Sequence, residues 1–152
     1  MRLIAEIGVN WDGDFELAKE MMQESVNANF DLVKFQAFKP ELVAKHPEAS
    51  RVYRSSITRE NINKINSIAN DIGIEWFCTP MYPEAVDLLE PFVNKFKIRV
   101  ADGRSLFENS SSKLINKILE SDPVSNDPKN ENFPPKFPKL PSETSLKLIS
   151  KY

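Results

Sequence analysis

The stretch DLVKFQAFKP, residues 31–40, contains the strand from which both a fold and a functional site can be predicted. It is mostly apolar, as expected of a strand buried in a parallel sheet, but a lysine and a glutamine interrupt it two positions apart. Because strand side chains alternate, Lys34, Gln36 and Phe38 project to one face, and the apolar residues between them project toward covering helices. Desolvating an unpaired charge costs roughly several kcal/mol, so function is expected where that cost is accepted.

Around this strand, the sequence up to about residue 121 alternates strand-like and helix-like segments, which is typical of βα units and a parallel sheet. We predict four such units, with a long loop between the second strand and its helix. The strands are expected at 2–9, 31–38, 74–79 and 95–101, and the helices at 14–29, 58–73, 83–92 and 110–121.

Local signals mark the ends of the predicted helices. Asp14 and Thr58 are candidate N-caps, Gly73 is expected to end the second helix, and Pro83 occupies a first-turn position of the third. The apolar positions at helical spacing are Leu17, Met21, Met22 and Val26 in the first helix, and Ile62, Ile65, Ile68 and Ala69 in the second.

The length of the chain limits what four units can build. A closed eight-stranded barrel typically needs ~250 residues and at least ~200, whereas this chain has 152. The expected fold class is therefore α/β, of the (β/α) TIM-barrel type and incomplete, over residues 1–121, with a small open sheet as the alternative. Residues 122–152 are expected to form a proline-rich tail with a short terminal helix, since six of the eleven prolines and none of the four glycines fall there.

Composition narrows the classes of partner. The net charge is −2 and charges of both signs are interleaved, which gives no reason to expect nucleic acid or a membrane surface. Small molecules are the expected partners, and a cytoplasmic location is the expected default. With one cysteine and one histidine, Cys78 and His46, the chain has too few soft ligands for a zinc site and cannot form an internal disulfide. We interpret Cys78 as an inert buried thiol and His46 as a solvated side chain.

Polar side chains from several predicted strands converge on the face that holds Lys34. Glu6 in the first strand and Lys97 with Arg99 in the fourth share this face, at the side where a parallel barrel receives its substrate. Such a set suits an anionic substrate that carries phosphate or carboxylate. The structural alternative is that buried Lys and Glu pair with each other. Arg99 is interpreted as an ion-pair partner, and Trp11 and Trp76 as core or cleft wall.

Four motifs, IAEIGVNWDGDFELAKEM, VKFQAF, CTPMYPEAVDLLE and FKIRVADG, occur in this order at successive strand ends. Together they resemble the N-terminal half of the sialic acid synthases over roughly residues 3–120. The resemblance implies a (β/α)8 barrel that condenses phosphoenolpyruvate with an N-acyl hexosamine aldehyde such as N-acetylmannosamine. It also implies a divalent metal, Mn or Mg, whose ligands cannot be identified in this chain.

The resemblance also assigns roles to residues of this sequence. Asp102 and Glu6 would be the catalytic carboxylates, with Asp102 as acid/base beside the aldehyde. Lys34 and Lys97 would bind the enolpyruvate, Gln36 and Glu6 would hold the acceptor sugar, and Asn10 and Thr79 would line the mouth of the site. Carbon 3 of the enolpyruvate would attack the aldehyde, and water at carbon 2 would lead to release of phosphate.

The chain departs from the family pattern at two motifs. Trp11 stands where the family commonly has histidine, and Val100 with Ala101 stand where it commonly has Ser-Gly. The family's later strands, which carry its metal-binding histidines, and its small C-terminal antifreeze-like domain are expected to be absent after residue 120. The preferred interpretation is a truncated synthase that needs a complementing half-barrel, or a homodimer, since half a barrel leaves strand edges unpaired. The alternatives are a non-catalytic binding or remnant domain, and another barrel enzyme that handles phosphorylated sugars.

Overall fold

The computed structural model describes residues 2–99. The chain divides into two units, Met1–Lys97 and Ile98–Tyr152, and the described residues belong almost entirely to the first. The predicted fourth helix and the boundary and terminal helix of the 122–152 tail lie outside the described residues, as do Val100, Ala101 and Asp102.

The first unit contains a three-stranded parallel sheet in the order β1-β2-β3, with helices in the connections. The α/β architecture predicted for the first three βα units is therefore confirmed. The strands are β1 (Ile4–Glu6), β2 (Leu32–Ala37) and β3 (Glu75–Pro80), and the helices are α1 (Phe15–Asn27), α2 (Pro40–Val43), α3 (Ala49–Arg54), α4 (Ile62–Ile72) and α5 (Glu84–Leu89). Within residues 2–99, no helix is both long and apolar enough to cross a membrane.

The first strand is shorter than the predicted 2–9. It ends at Glu6 because the N–H groups of Ile7 and Gly8 both donate to the carbonyl of Lys34, at 3.1 and 2.9 Å, and Gly8 then turns away with a φ of 56°. Two consecutive residues thus oppose one residue of the neighbouring strand, as in a β-bulge, and the ladder stops. The predicted length was wrong because this turn depends on a glycine conformation that alternation does not reveal.

The helix signals were correct for Asp14 and Gly73, one residue off for Pro83 and wrong for Thr58. Asp14 caps α1, since its carboxylate accepts the N–H groups of Glu16 and Leu17 at 2.8 and 3.3 Å. Gly73 ends α4 in the left-handed conformation, and Pro83 directly precedes α5. The N-cap predicted at Thr58 was wrong.

The start of α4 lies later than predicted because a separate turn precedes it. The Asn61 side chain accepts the N–H of Thr58 at 2.8 Å and donates to the carbonyl of Ser56 at 2.8 Å. These bonds favour a turn over residues 58–61, so the helix begins at Ile62 with Asn61 as its N-cap residue.

The segment between β2 and α4, predicted as a long loop, contains α2 and α3. Hydrogen bonds and an ion pair connect the end of this segment to the turn that follows β1. The indole N–H of Trp11 donates to the carbonyl of Ser55 at 2.8 Å, and the Ser55 hydroxyl donates to the carbonyl of Val9 at 2.9 Å. Arg51 Nε lies 2.6 Å from Asp12 Oδ1. The two connections at the carboxyl ends of β1 and β2 are therefore joined by both hydrogen bonds and an ion pair.

The apolar core lies between the sheet and the helices. Phe35 sits at its centre, with ring centroids 6.1 Å from Trp11 and 6.0 Å from Trp76 in edge-on geometry. The core interpretation of both tryptophans is thus confirmed, and Trp76 also donates to Asn66 Oδ1 at 3.0 Å. The other fully buried residues of this core include Ala18, Met22, Val33, Ala37, Ile57, Ile65, Ala69, Cys78, Ala85 and Leu89.

The predicted fourth strand is visible only at its start. Phe96 forms a single parallel bridge with Cys78, and the N–H of Lys97 donates to the carbonyl of Cys78 at 3.0 Å. The chain therefore adds to the free side of β3, as a fourth parallel strand requires, and this contact fixes the position of Lys97.

We expect Gly13→Ala to destabilise the domain more than Gly73→Ala. Both glycines have a positive φ, 79° and 80°, so the two substitutions share the same kind of backbone strain. A Cβ atom at Gly13 would also lie 2.7 Å from the carbonyl oxygen of Arg54, whereas one at Gly73 would meet nothing within 4 Å. Strain alone costs about 1–2 kcal/mol, and the added clash with backbone raises the expected loss for Gly13→Ala to about 2–5 kcal/mol.

Urea unfolding of the two variants and the parent chain, followed by circular dichroism, measures this difference. Equal losses of unfolding free energy in both variants would contradict the close packing of α3 against Gly13.

Candidate active site

Lys34 lies in the central strand of the described sheet, and its neighbours place it on the face opposite the helices. Glu6 of β1 pairs with it in register on one side, and Phe77 of β3 on the other. Residues in register point to the same face of a parallel sheet. Lys34 is only 2% exposed, so its ammonium group is held inside this face rather than in solvent. The burial predicted from the sequence is confirmed.

The Lys34 ammonium group has two partners. Its Nζ lies 2.6 Å from Glu6 Oε1 and donates to the Thr79 hydroxyl oxygen at 3.3 Å. The second carboxylate oxygen of Glu6 lies 3.9 Å from Lys97 Nζ. Two ammonium groups thus share one carboxylate, and with all three ionised the cluster keeps one positive charge. We call Glu6, Lys34, Thr79 and Lys97 the lysine cluster.

The electrostatics of Lys34 follow from this arrangement. Burial lowers the pKa of Lys34 below its ordinary value, because desolvation disfavours the charged form. The hydrogen bond and charge of Glu6 act in the opposite direction, and the nearby charge of Lys97 lowers the pKa further. Glu6 is therefore the group that keeps an ammonium ion at this buried position.

The four side chains of the lysine cluster differ in solvent exposure. The side chains of Glu6 and Lys97 are 49% and 40% exposed, whereas those of Lys34 and Thr79 are buried. A ligand that approaches this face meets Lys97 and the Glu6 carboxylate before it reaches Lys34. An anion would be attracted by the remaining positive charge and could exchange with Glu6 as the partner of the lysines.

The structure brings together most of the residues predicted for the site. Gln36 and Thr79 are also paired in register, which places Gln36 on the same face as the lysine cluster. Within residues 2–99, the Gln36 carboxamide has no hydrogen-bond partner. Asn10 is exposed in the turn after β1, where its N–H donates to the carbonyl of Ile7. Asp102 lies outside the described residues, so its predicted role stays a prediction.

Sequence reasoning missed a second polar group at the carboxyl ends of β2 and β3. Lys39 Nζ lies 2.9 Å from Glu84 Oε2 and 4.7 Å from the centre of the Tyr82 ring. The hydrogen bond to Glu84 raises the pKa of Lys39, and burial raises the pKa of Tyr82. Their positions in the sequence could have indicated this group, because Lys39 and Tyr82 each lie two residues after the end of a strand.

Two residues set aside in the sequence analysis have the surroundings expected of them. Cys78 is fully buried on the helix-facing side of β3, and burial raises the pKa of its thiol, which makes the reactive thiolate scarce. His46 is exposed, and its Nδ1 accepts the N–H of Glu48 at 3.1 Å. The structural ion-pair role of Arg99 stays a prediction.

The residues described at this face do not fit a divalent metal. Hard cations prefer several oxygen ligands, commonly carboxylates, and the lysine cluster offers one carboxylate that already faces two ammonium groups. Over residues 2–99, no group of three or more His, Cys, Asp or Glu side chains is placed to hold a metal ion. No step of the chemistry is therefore assigned to a metal here.

The fold and this site define an α/β domain whose parallel sheet carries a positively charged cluster with a buried lysine. The NeuB family model matches residues 21–118, which is more than half of the chain. The chain belongs to the NeuB family.

Individual relatives agree with this assignment. The chain is 31% identical to N,N'-diacetyllegionaminic acid synthase of Legionella pneumophila over 103 residues, 57% of this chain and 29% of that protein. It is 26% identical to N-acetylneuraminate-9-phosphate synthase of Mus musculus, over 99% of this chain and 51% of that protein. The chain thus spans about half or less of the length of these curated relatives. It is thus similar to part of the sequence of legionaminic acid and N-acetylneuraminate-9-phosphate synthases.

A solved structure supports the fold independently. The N-acetylneuraminic acid synthetase of Leptospira borgpetersenii, crystallised with citrate, superposes with a TM-score of 0.59 at 23% identity. The match covers 76% of this chain and 48% of that one. The parallel α/β arrangement of the described strands is therefore the arrangement found in a synthase structure.

Proposed function

We propose that this chain provides the N-terminal part of a (β/α)-barrel synthase that condenses phosphoenolpyruvate with an N-acyl hexosamine to give a nonulosonic acid. The lysine cluster is the observation that carries the proposal, because it presents positive charge at a sheet face with one lysine fully buried. Family membership supports the reaction class. Phosphoenolpyruvate carries a phosphate and a carboxylate, and two lysines are a suitable complement for these groups.

The proposed roles follow the accessibility of each side chain. Lys97, which is partly exposed, would meet the anion first, and Lys34 would bind it as Glu6 yields its place. Gln36, whose carboxamide has no hydrogen-bond partner within residues 2–99, would bind a hydroxyl or carbonyl of the acceptor sugar. Glu6 would join in holding that sugar once released from Lys34. Asn10 would line the mouth, whereas Thr79, which was predicted there, is buried and would orient Lys34.

The reaction would form one carbon–carbon bond. Carbon 3 of the enolpyruvate attacks the aldehyde carbon, the aldehyde oxygen gains a proton, and Asp102 is proposed as the acid. Water then adds at carbon 2, and the resulting tetrahedral centre loses phosphate to give the 2-keto acid. The manganese or magnesium implied by the family resemblance stays a prediction, and the described residues do not supply its ligands.

The site is proposed to need more strands than the described unit contains. The relatives extend well beyond the matched region, so further parts of a barrel would have to come from additional chain, a complementing half-barrel or a second copy. We expect residues 1–152 alone to bind phosphoenolpyruvate without turning it over. Full turnover by this chain would contradict the requirement for additional strands. The cytoplasmic location also stays a prediction.

Calorimetric titration of the purified chain with phosphoenolpyruvate tests the proposed site. We expect binding by the parent chain, loss of at least tenfold in affinity in Lys34→Ala, and no change in Lys64→Ala. A tenfold loss corresponds to about 1.4 kcal/mol, which is close to the lower end of the roughly 1.5–3 kcal/mol that a hydrogen bond to a charged group contributes. Lys64 is an exposed lysine of α4 and controls for a change in net charge. Binding that survives in Lys34→Ala would remove Lys34 from the site.

A non-catalytic domain of the same fold is the second candidate, and one observation favours it. The Lys34–Glu6 pair, at 2.6 Å, satisfies the buried ammonium group without any ligand. This candidate predicts that neither phosphoenolpyruvate nor inorganic phosphate binds. The same titration with a hexose phosphate addresses the remaining alternative, a barrel enzyme for phosphorylated sugars, which would show sugar phosphate binding without preference for the enolpyruvate.

A further inference from the structure

Gly8 lies where β1 stops, and its backbone is bonded to the site lysine. Its φ is 56°, and its N–H donates to the carbonyl of Lys34 at 2.9 Å, beside the 3.1 Å bond from Ile7. Bulges of this kind bend a strand and re-aim its side chains, and they often occur next to active sites. The bulge therefore connects the backbone of β1 directly to the residue whose ammonium group forms the lysine cluster.

Gly8 also lies beside the Glu6 carboxylate, in a place where a side chain would not fit without a shift. A Cβ atom at this position would lie 3.0 Å from Glu6 Oε1 and 3.7 Å from Glu6 Cδ. The same oxygen lies 2.6 Å from Lys34 Nζ. A carbon and an oxygen at 3.0 Å are closer than ordinary van der Waals contact, so the Glu6 carboxylate would have to shift by a few tenths of an ångström. The absence of a side chain at Gly8 leaves the room in which Glu6 meets Lys34.

We propose that Gly8 is a positioning residue of the lysine cluster, which fixes the Lys34 backbone through its N–H and keeps the Glu6 carboxylate against the Lys34 ammonium group. The inference rests on the proposed function only for the role of Lys34 as a substrate ligand. The geometry of the ion pair belongs to the chain without any ligand, so it can be tested separately.

The test is a pH titration of the Lys34 side chain by NMR in the full chain. Lysine labelled with carbon-13 reports the ionisation of each ammonium group, and the spectrum of Lys34→Arg assigns the signal. Because Glu6 raises the pKa of Lys34, displacing its carboxylate should lower that pKa. We expect Gly8→Ala to shift the Lys34 pKa downward, in the direction of Glu6→Ala.

A double variant and a substitution at a second glycine distinguish the effect of the Gly8–Glu6 contact from the effect of backbone strain at positive φ. In Gly8→Ala with Glu6→Ala, the pKa of Lys34 should equal that of Glu6→Ala alone, because the displaced group is already gone. Gly73→Ala has a similar positive φ and meets nothing within 4 Å, so it should leave the Lys34 pKa unchanged. A Lys34 pKa in Gly8→Ala equal to that of the parent chain would overturn the proposal.

Two further measurements address misfolding of Gly8→Ala and failure of the proposed function. If circular dichroism shows that Gly8→Ala does not fold, Gly8→Asn adds the same Cβ atom on a residue type that tolerates positive φ, and its Lys34 pKa should fall likewise. Titration of the parent chain with phosphoenolpyruvate is run in parallel. Absence of binding there would contradict the proposed function alone, because the comparison of pKa values contains no ligand.

Discussion

Lys34→Met is expected to abolish phosphoenolpyruvate binding and to leave the domain as stable as the parent chain or more stable. Methionine has a similar length, and it removes a buried charge whose desolvation the Glu6 ion pair only partly offsets. Replacing buried ion pairs with apolar residues is often neutral or stabilises by about 1–4 kcal/mol. Glu6 is half exposed, so water can solvate its carboxylate when the lysine is gone.

Calorimetry and urea unfolding of the same preparations measure the two effects. Because the folded state lowers the pKa of Lys34, the unfolded state binds more protons between that pKa and the ordinary 10.5. As pH rises through this window, the unfolding free energy of the parent chain should therefore increase relative to that of Lys34→Met. A loss of about 3 kcal/mol in Lys34→Met at neutral pH would instead indicate a structural role for the pair and favour the non-catalytic candidate.

Trp11→Ala is expected to have the largest effect on stability, a loss of about 3–5 kcal/mol of unfolding free energy. Trp11 is fully buried, contacts Phe35 edge-on, and donates its indole N–H to the carbonyl of Ser55. Truncation removes the ring from the core and leaves that carbonyl without its partner. A small domain has roughly 5–15 kcal/mol in total, so the variant should be close to unfolding.

Trp11→Phe is the matched control, since it keeps an aromatic ring and loses the indole donor. Its expected loss is smaller, about 1–3 kcal/mol, from the unpaired carbonyl and the lost ring volume. Urea unfolding of both variants distinguishes the contribution of the aromatic ring to stability from that of the hydrogen bond. A loss below about 1 kcal/mol in Trp11→Ala would contradict the central place of Trp11 in the core.

The sequence was most informative where a local pattern has one physical meaning. Lys34 and Gln36 stood out because an apolar strand gives no other reason for polar residues, and both lie on the face opposite the helices. Asp14 was predictable as an N-cap because its side chain bonds only to residues two and three positions later. Such signals need no information about distant parts of the chain.

The sequence failed where the outcome depends on distant groups. The early end of β1 depends on the Lys34 carbonyl, which accepts two N–H groups from residues that alternation would extend into a strand. Trp11 was a departure from the family motif, but its partner Ser55 lies 44 positions away. Thr58 failed as an N-cap because Asn61 makes a competing turn. The site was predicted as a set of residues, and the pairing of Glu6 with Lys34 was left open between two interpretations.

The fastening of the turn after β1 to the end of α3 has a consequence for how the domain folds. The Val9–Ser55 bond spans 46 positions, and β1 itself has only three residues and, among residues 2–99, one neighbouring strand. The first βα unit therefore gains little from forming alone and becomes stable only when the second unit has closed over it. Hydrogen exchange should show the amides of residues 4–57 opening together, as one cooperative unit rather than as two successive βα repeats.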